Sequence, residues 1–85
     1  MAEQYKRKSE FGKFYFKDPR LTILHRTDGP ACEYFAGDKA WYLNGAKHRL
    51  DGPAYEYASG EKSWYVNGMA IFRINKIGKL LDRMV

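Results

Sequence analysis

Residues 25–47 read HRTDGPACEYFAGDKAWYLNGAK, and residues 48–70 read HRLDGPAYEYASGEKSWYVNGMA. The two stretches align without a gap at a period of 23, and 14 of the 23 positions are identical. Self-similarity at a fixed period marks a repeat architecture. The chain therefore carries a tandem duplication of one structural unit. The shared residues include His25/His48, Arg26/Arg49, Asp28/Asp51, Glu33/Glu56, Trp41/Trp64 and Tyr42/Tyr65.

Each unit reads as short strands between turns. Asn44-Gly45 and Asn67-Gly68 are strong hairpin signals, because a type I′ turn needs positive φ at both central residues. Asp28-Gly29-Pro30 and Asp51-Gly52-Pro53 form a second breaker, and Ala36-Gly37-Asp38 and Ser59-Gly60-Glu61 a third. Between them lie runs rich in aromatic and β-branched residues: 31–35, 39–43, 54–57 and 62–66. No helical period competes between residues 25 and 70. The expected fold is mainly β, an antiparallel β-meander of 23-residue hairpin repeats.

Two units alone are too few for a stable array, which needs about three and dedicated ends. The flanks read as those ends. Phe11–Phe16, a turn at Lys17-Asp18-Pro19-Arg20 and Leu21–Leu24 predict a capping hairpin, in which Phe14-Tyr15-Phe16 echoes Trp41-Tyr42-Leu43. Ile74, Ile77, Leu81 and Met84 recur at helical spacing, with Lys76, Lys79 and Arg83 on the other side. That pattern predicts a short C-terminal amphipathic helix, although Gly78 weakens it by roughly 1 kcal/mol. Residues 1–85 thus form one domain. Its parts are a basic flank with capping hairpin (1–24), two repeats (25–47, 48–70) and a basic helical cap (71–85).

Composition agrees with one small globular domain: 85 residues, 45% apolar and 16% aromatic. The longest apolar runs have four residues. A membrane helix needs about 20 and a secretory leader roughly 7–15. Met1 reads as a true start, so the expected location is the cytoplasm, without membrane attachment. The single cysteine, Cys32, allows no internal disulfide and no thiol-rich zinc site. It reads as a small, partly buried residue.

The net charge of +5 is uneven. Residues 1–24 carry +3, the repeats −1 and residues 71–85 +3. Lys6-Arg7-Lys8 is the densest cluster, and Arg73, Lys76, Lys79 and Arg83 form the second. Such flanks suit an acidic protein or nucleic acid, or they serve solubility and the blunting of sheet edges. No helix-turn-helix, RNA-recognition or zinc-finger spacing accompanies them.

His25-x-x-Asp28 and His48-x-x-Asp51 are the only pairs an enzyme could use as base and orienting partner. No nucleophile recurs with them. They read better as structure: Asp holds the Gly-Pro turn while His and Arg bond across to the next rung. No cofactor or metal is expected, and the chain is not expected to be an enzyme. Adjacent strand residues face opposite sides. We assign Trp41, Leu43, Trp64 and Val66 to the core, joined by Tyr34 and Tyr57. Tyr42 and Tyr65 then lie on the open face, and the sides taken by Glu33, Glu56, Lys39 and Lys62 stay open. Tyr42 and Tyr65 become an aromatic platform for a partner, or a cross-strand pair that stabilises the sheet.

The tandem HRxDGPA and WYxNG blocks resemble the MORN-repeat variants of bacterial and bacteriophage proteins. The resemblance covers residues 25–70. The better-known MORN repeat uses Tyr-x-Gly and Gly-x-Gly steps, which this chain lacks, so phosphoinositide binding is not implied. The resemblance does imply stacked β-hairpins and a phage setting in which small accessory proteins bind host machinery. The expected function is a non-enzymatic protein-binding module, a phage-encoded anti-defence factor that inhibits or redirects a host protein by steric blocking in the host cytoplasm. Its expected contact residues are Tyr42, Tyr65, Lys6, Arg7, Lys8, Arg73, Lys76, Lys79 and Arg83. The alternatives are a nucleic-acid-binding protein using basic termini and an aromatic face, and a self-associating repeat protein that forms a homodimer.

Overall fold

The computed structural model describes residues 5–83, with side chains described through Leu81. Its strands are β1 (Tyr5–Lys8), β2 (Gly12–Phe16), β3 (Cys32–Tyr34), β4 (Lys39–Ala40), β5 (Tyr42–Leu43), β6 (Ala46–Lys47), β7 (Tyr55–Glu56), β8 (Lys62–Val66), β9 (Met69–Ile74) and β10 (Leu80–Arg83). Eight form one antiparallel sheet in the order β1-β2-β3-β4-β7-β8-β9-β10, and β5 pairs with β6 in a separate hairpin. Spatial order follows chain order apart from that excursion, so the fold is mainly β and antiparallel. Eight strands at about 4.8 Å span about 34 Å. They therefore stack along the 41 Å long axis of the molecule.

The turns follow from their residues. Asn44 and Gly45 have φ of 52° and 84°, and Asn67 and Gly68 have 51° and 82°. Both central positions of each turn are left-handed, which Asn and Gly accept most readily. The β5–β6 hairpin is tied to its neighbours on either side. The Gly45 N–H donates to the Leu24 carbonyl at 2.8 Å, and the Gly68 N–H to the Lys47 carbonyl at 2.7 Å. At the opposite rim the Asp38 carboxylate joins the two units. It accepts the Tyr55 hydroxyl at 2.8 Å and the Ala58 N–H at 2.7 Å.

Strand register sorts the side chains into two faces. One face carries the row Phe14, Cys32, Ala40, Tyr55, Ser63 and Arg73. Cys32, Ala40 and Ser63 are buried there. Tyr34 and Tyr57 lie two residues along their strands on the same face, with Tyr34 edge-on to Phe14 and Tyr57 against Tyr55. The other face carries a ladder of alternating charge: Lys13, Glu33, Lys39, Glu56 and Lys62. Opposite charges on directly facing residues favour this register.

This corrects the expected core. Trp41 and Trp64 follow Lys39 and Lys62 by two residues, so they stand on the charged face. They are half-buried, as are Leu43 and Val66. Tyr34 and Tyr57 are on the other face, not beside the tryptophans. A tryptophan on a charged face is stable here because something stacks on it. The Arg49 guanidinium carbon lies 4.0 Å from the Trp41 ring centre, and Phe72 stacks on Trp64 at 4.4 Å. The fully buried residues are small: Ala31, Cys32, Ala40 and Ala54, with Ser63 beside them. The Ala31 carbonyl accepts the Tyr15 N–H, and the Ala54 carbonyl accepts the Trp41 N–H. The alanine after each Asp-Gly-Pro turn thus lies against the backbone of an aromatic strand, with no exposed surface.

The same bonds correct the N-terminal echo. Tyr15, not Phe14, occupies the place of Trp41. The His25 N–H bonds the Tyr15 carbonyl and the His48 N–H the Trp41 carbonyl, both at 3.0 Å. Arg26 stacks on Tyr15 at 3.8 Å as Arg49 does on Trp41. After β2 the chain turns back, but residues 21–24 form no strand of the expected capping hairpin. Phe16 bridges Leu24, and the Asp18 carboxylate holds the turn through Thr22 and Ile23. Ahead of it stands β1, an edge strand that pairs with β2.

No helix occurs among the described residues, so the expected C-terminal helix is corrected to a hairpin of β9 and β10. Two local features decide this. Asn67-Gly68 turns the chain back onto β8, so residues 69–74 complete the hairpin as β9. Then Asn75 makes a turn: its side-chain oxygen accepts the N–H groups of Ile77 and Lys79, and Gly78 sits at φ 90°. Ile77 is at that turn and 80% exposed, so the helical spacing of Ile74, Ile77 and Leu81 describes no common face. Met84 lies outside the described residues.

Candidate functional site

The duplicated polar residues are consumed by their own repeat. Arg49 closes the Asp-Gly-Pro turn: Nε donates to the Asp51 carboxylate at 3.1 Å and Nη1 to the Pro53 carbonyl at 3.0 Å. The same Nη1 lies 3.3 Å from the Glu56 carboxylate. Arg26 repeats the arrangement on Asp28, Pro30 and Glu33. Arginine suits the place because its planar fork reaches several acceptors while its flat face stacks on an aromatic ring. A Cβ at Gly52 would come within 2.9 Å of the guanidinium carbon, so glycine lets the arginine lie against the turn.

His25 and His48 hold the Asn-Gly turns. The Asn44 N–H donates to His25 Nδ1 and the Asn67 N–H to His48 Nδ1, each at 2.9 Å. Nδ1 accepts in both, so it carries no proton, and the geometry assigns the ring proton to Nε2. These bonds and those of the Arg26 and Arg49 side chains stay within one repeat, which corrects the expected hydrogen bonding of His and Arg to the next rung. Only the arginine stacking on Tyr15 and Trp41 reaches the preceding unit. A cleft of about 550 Å³ lies between the two Asp-Gly-Pro loops, lined by Arg26, Asp28, Trp41, His48, Arg49 and Asp51 among others. Its charged groups lie beside one another, and no serine or cysteine joins them there. Among the described residues no group of three or more His, Cys, Asp or Glu is placed to hold a metal ion.

The expected contact residues fall into three separate places. Lys6, Arg7 and Lys8 form β1 and are exposed. Arg73 is half-buried in β9, and Lys76 and Lys79 are exposed around the β9–β10 turn. Arg83 ends β10, and its side chain lies outside the described residues. The two basic flanks thus stand at opposite ends of the strand order and form no single footprint.

Tyr42 and Tyr65 lie between them and are half-buried, not open. The Lys47 ammonium sits 4.8 Å from the Tyr65 ring centre and 5.3 Å from that of Tyr55. Burial raises the Tyr42 hydroxyl pKa above its ordinary value, with Cys32 and Tyr65 adding to it. The Cys32 thiol is pushed up to about 11 by burial, against smaller opposing effects of Tyr34 and Lys47. Burial thus disfavours the thiolate, which is the reactive form.

The structure adds two features that composition did not reveal. One is the charge ladder, which needs strand register to be seen. The other is the outer edge of β1, on which no other strand of the described residues pairs. The sequence signal for that strand was only Tyr5 ahead of three basic residues.

Comparison with protein families, with curated proteins and with solved structures gave no match. No helix of the described residues is long and apolar enough to cross a membrane.

Proposed function

We propose that the chain is a non-enzymatic protein-binding module that acts by covering a surface of its partner. The observation that carries this reading is the engagement of His25, His48, Arg26, Arg49, Asp28 and Asp51 in holding turns and rings. Groups tied up in this way favour a scaffold, and they leave the surface to do the work. The basic strand β1 and the exposed side chains Phe11 and Phe35, linked through the Phe35 N–H and the Phe11 carbonyl, are the kind of surface a partner uses.

The finer proposal takes the 23-residue unit as a MORN-like hairpin repeat. On that resemblance the partner is a host protein, and the chain a phage-encoded factor that inhibits or redirects host defence in the cytoplasm. Nucleic-acid binding is the second reading. The separation of the two basic flanks weighs against it.

Affinity capture with the tagged chain from bacterial lysate, with and without nuclease, tests the proposal. It expects one stoichiometric protein that survives nuclease. Recovery of nucleic acid alone, or of proteins that vanish with nuclease, would overturn it.

A further inference from the structure

We infer that the outer edge of β1 is a docking site for an acidic, extended segment of a partner protein, which adds to the sheet as a further strand. The inference rests on the protein-binding reading and names its surface and the chemistry of its partner.

Backbone geometry supplies the first argument. The Ser9 N–H donates to the Gly12 carbonyl at 2.9 Å, which closes the β1–β2 hairpin. In an antiparallel pair the hydrogen-bonded positions alternate. The pairs Arg7–Phe14 and Tyr5–Phe16 are therefore the bonded ones, and Lys6–Tyr15 and Lys8–Lys13 are not. The N–H and C=O of Lys6 and Lys8 consequently point away from β2. Among the described residues no strand takes them up. An exposed row of this kind is a template for an added strand.

Charge supplies the second. Across the ladder the signs alternate from Lys13 to Lys62, but Lys8 faces Lys13 directly. Like charges facing each other in a non-bonded pair are close and unfavourable. A carboxylate on an incoming strand would sit beside Lys8 and relieve that repulsion. Arg7 pairs with Phe14 and therefore stands on the other face, so β1 is basic on both sides. The same charges repel a second copy of β1. The edge thus admits an acidic strand and rejects itself, which is specificity by repulsion.

The test titrates the full chain with a fluorescent peptide of six Glu-Thr repeats at low salt. Lys6→Thr removes the charge and keeps the outward N–H. Lys6→Pro removes both, and proline is tolerated at an edge position whose N–H faces solvent. The wild-type chain binds the peptide. Lys6→Thr weakens binding roughly threefold, and Lys6→Pro weakens it roughly fivefold further. Lys8→Thr and Lys8→Pro give the same comparison if Lys6→Pro fails to fold, and protection of wild-type amides by the peptide reads the contact with no variant at all.

Equal binding by the Pro and Thr variants would overturn strand addition, as would absence of wild-type binding. Displacement of the peptide by a twelve-nucleotide oligothymidine, with equal loss in both variants, would assign the edge to phosphate and overturn the inference too. If the lysate partner is captured equally by wild type and Lys6→Pro, the module reading stands and the edge inference falls. If no protein is captured, the module reading itself falls.

Discussion

The Arg49 guanidinium carbon lies 4.0 Å from the centre of the Trp41 ring, and Arg26 lies 3.8 Å from that of Tyr15. One period further on, Phe72 stacks on Trp64 at 4.4 Å and 15° between planes. The 23-residue period therefore persists in the packing after the His-Arg-x-Asp motif has ended. Tyr15, Trp41 and Trp64 on the charged face are each covered by a residue of the unit that follows.

Arg49 combines stacking with contacts to Asp51, Pro53 and Glu56, so lysine does not replace it. Arg49→Lys keeps the charge and loses the fork. It is expected to cost about 1–2 kcal/mol in urea unfolding, and Arg49→Ala about 2–3 kcal/mol. Equal stability of Arg49→Lys and wild type would show that the charge alone matters.

The two histidine bonds have the same length, so their removal has the same price in stability. His25→Ala and His48→Ala each leave one turn N–H without its acceptor. Each is expected to lower stability by about 1 kcal/mol, with capture of the partner unchanged once the protein is folded. Loss of partner capture by a folded His48→Ala chain would contradict the structural role.

Gly12 is the tightest place in the sheet. A Cβ there would run into the Glu33 carbonyl oxygen and come within 2.8 Å of the Tyr34 Cα. Both neighbours are backbone and cannot turn aside. Gly12→Ala is expected to separate β2 from β3 and to cost about 2 kcal/mol or more, read as a lowered thermal midpoint.

Alkaline pH is expected to destabilise the fold. The Cys32 thiol holds its proton to about pH 11 in the folded chain, against an ordinary value of 9.0. The Tyr55 hydroxyl is also raised, by burial and by the Asp38 carboxylate it bonds. A raised folded pKa means that the unfolded chain gives up its proton first. Stability is full below about pH 9 and falls as pH rises towards 11. The urea midpoint is expected to drop across this window, and Cys32→Ala to flatten the drop. A thiol reagent at pH 8 is expected to label Cys32 only after unfolding.

Much of the fold was legible in the residues that permit unusual backbone. Asn44-Gly45 and Asn67-Gly68 announced their hairpins because few other pairs hold positive φ twice. The face of the tryptophans was not legible. Trp41 and Tyr42 are both large and amphipathic, so alternation separates them without saying which is covered. Arg49 decides it, and its reach over Trp41 exists only after the rungs stack. The C-terminal strands were hidden by a spacing of Ile74, Ile77 and Leu81 that fits a helix. Asn75 and Gly78 break that spacing with a turn. At the candidate site, the basic character of Lys6-Arg7-Lys8 was plain, but the outward direction of alternate backbone groups comes only from the register with β2.

Amide hydrogen exchange along β1 tests the account's central claim, a protein-binding sheet with an open basic edge, most directly. In the free chain the Tyr5 and Arg7 amides are expected to exchange slowly and those of Lys6 and Lys8 quickly. Saturation with the Glu-Thr peptide is expected to slow Lys6 and Lys8 as well. Lys6 and Lys8 amides already slow in the free chain, or still fast in the saturated one, would contradict it.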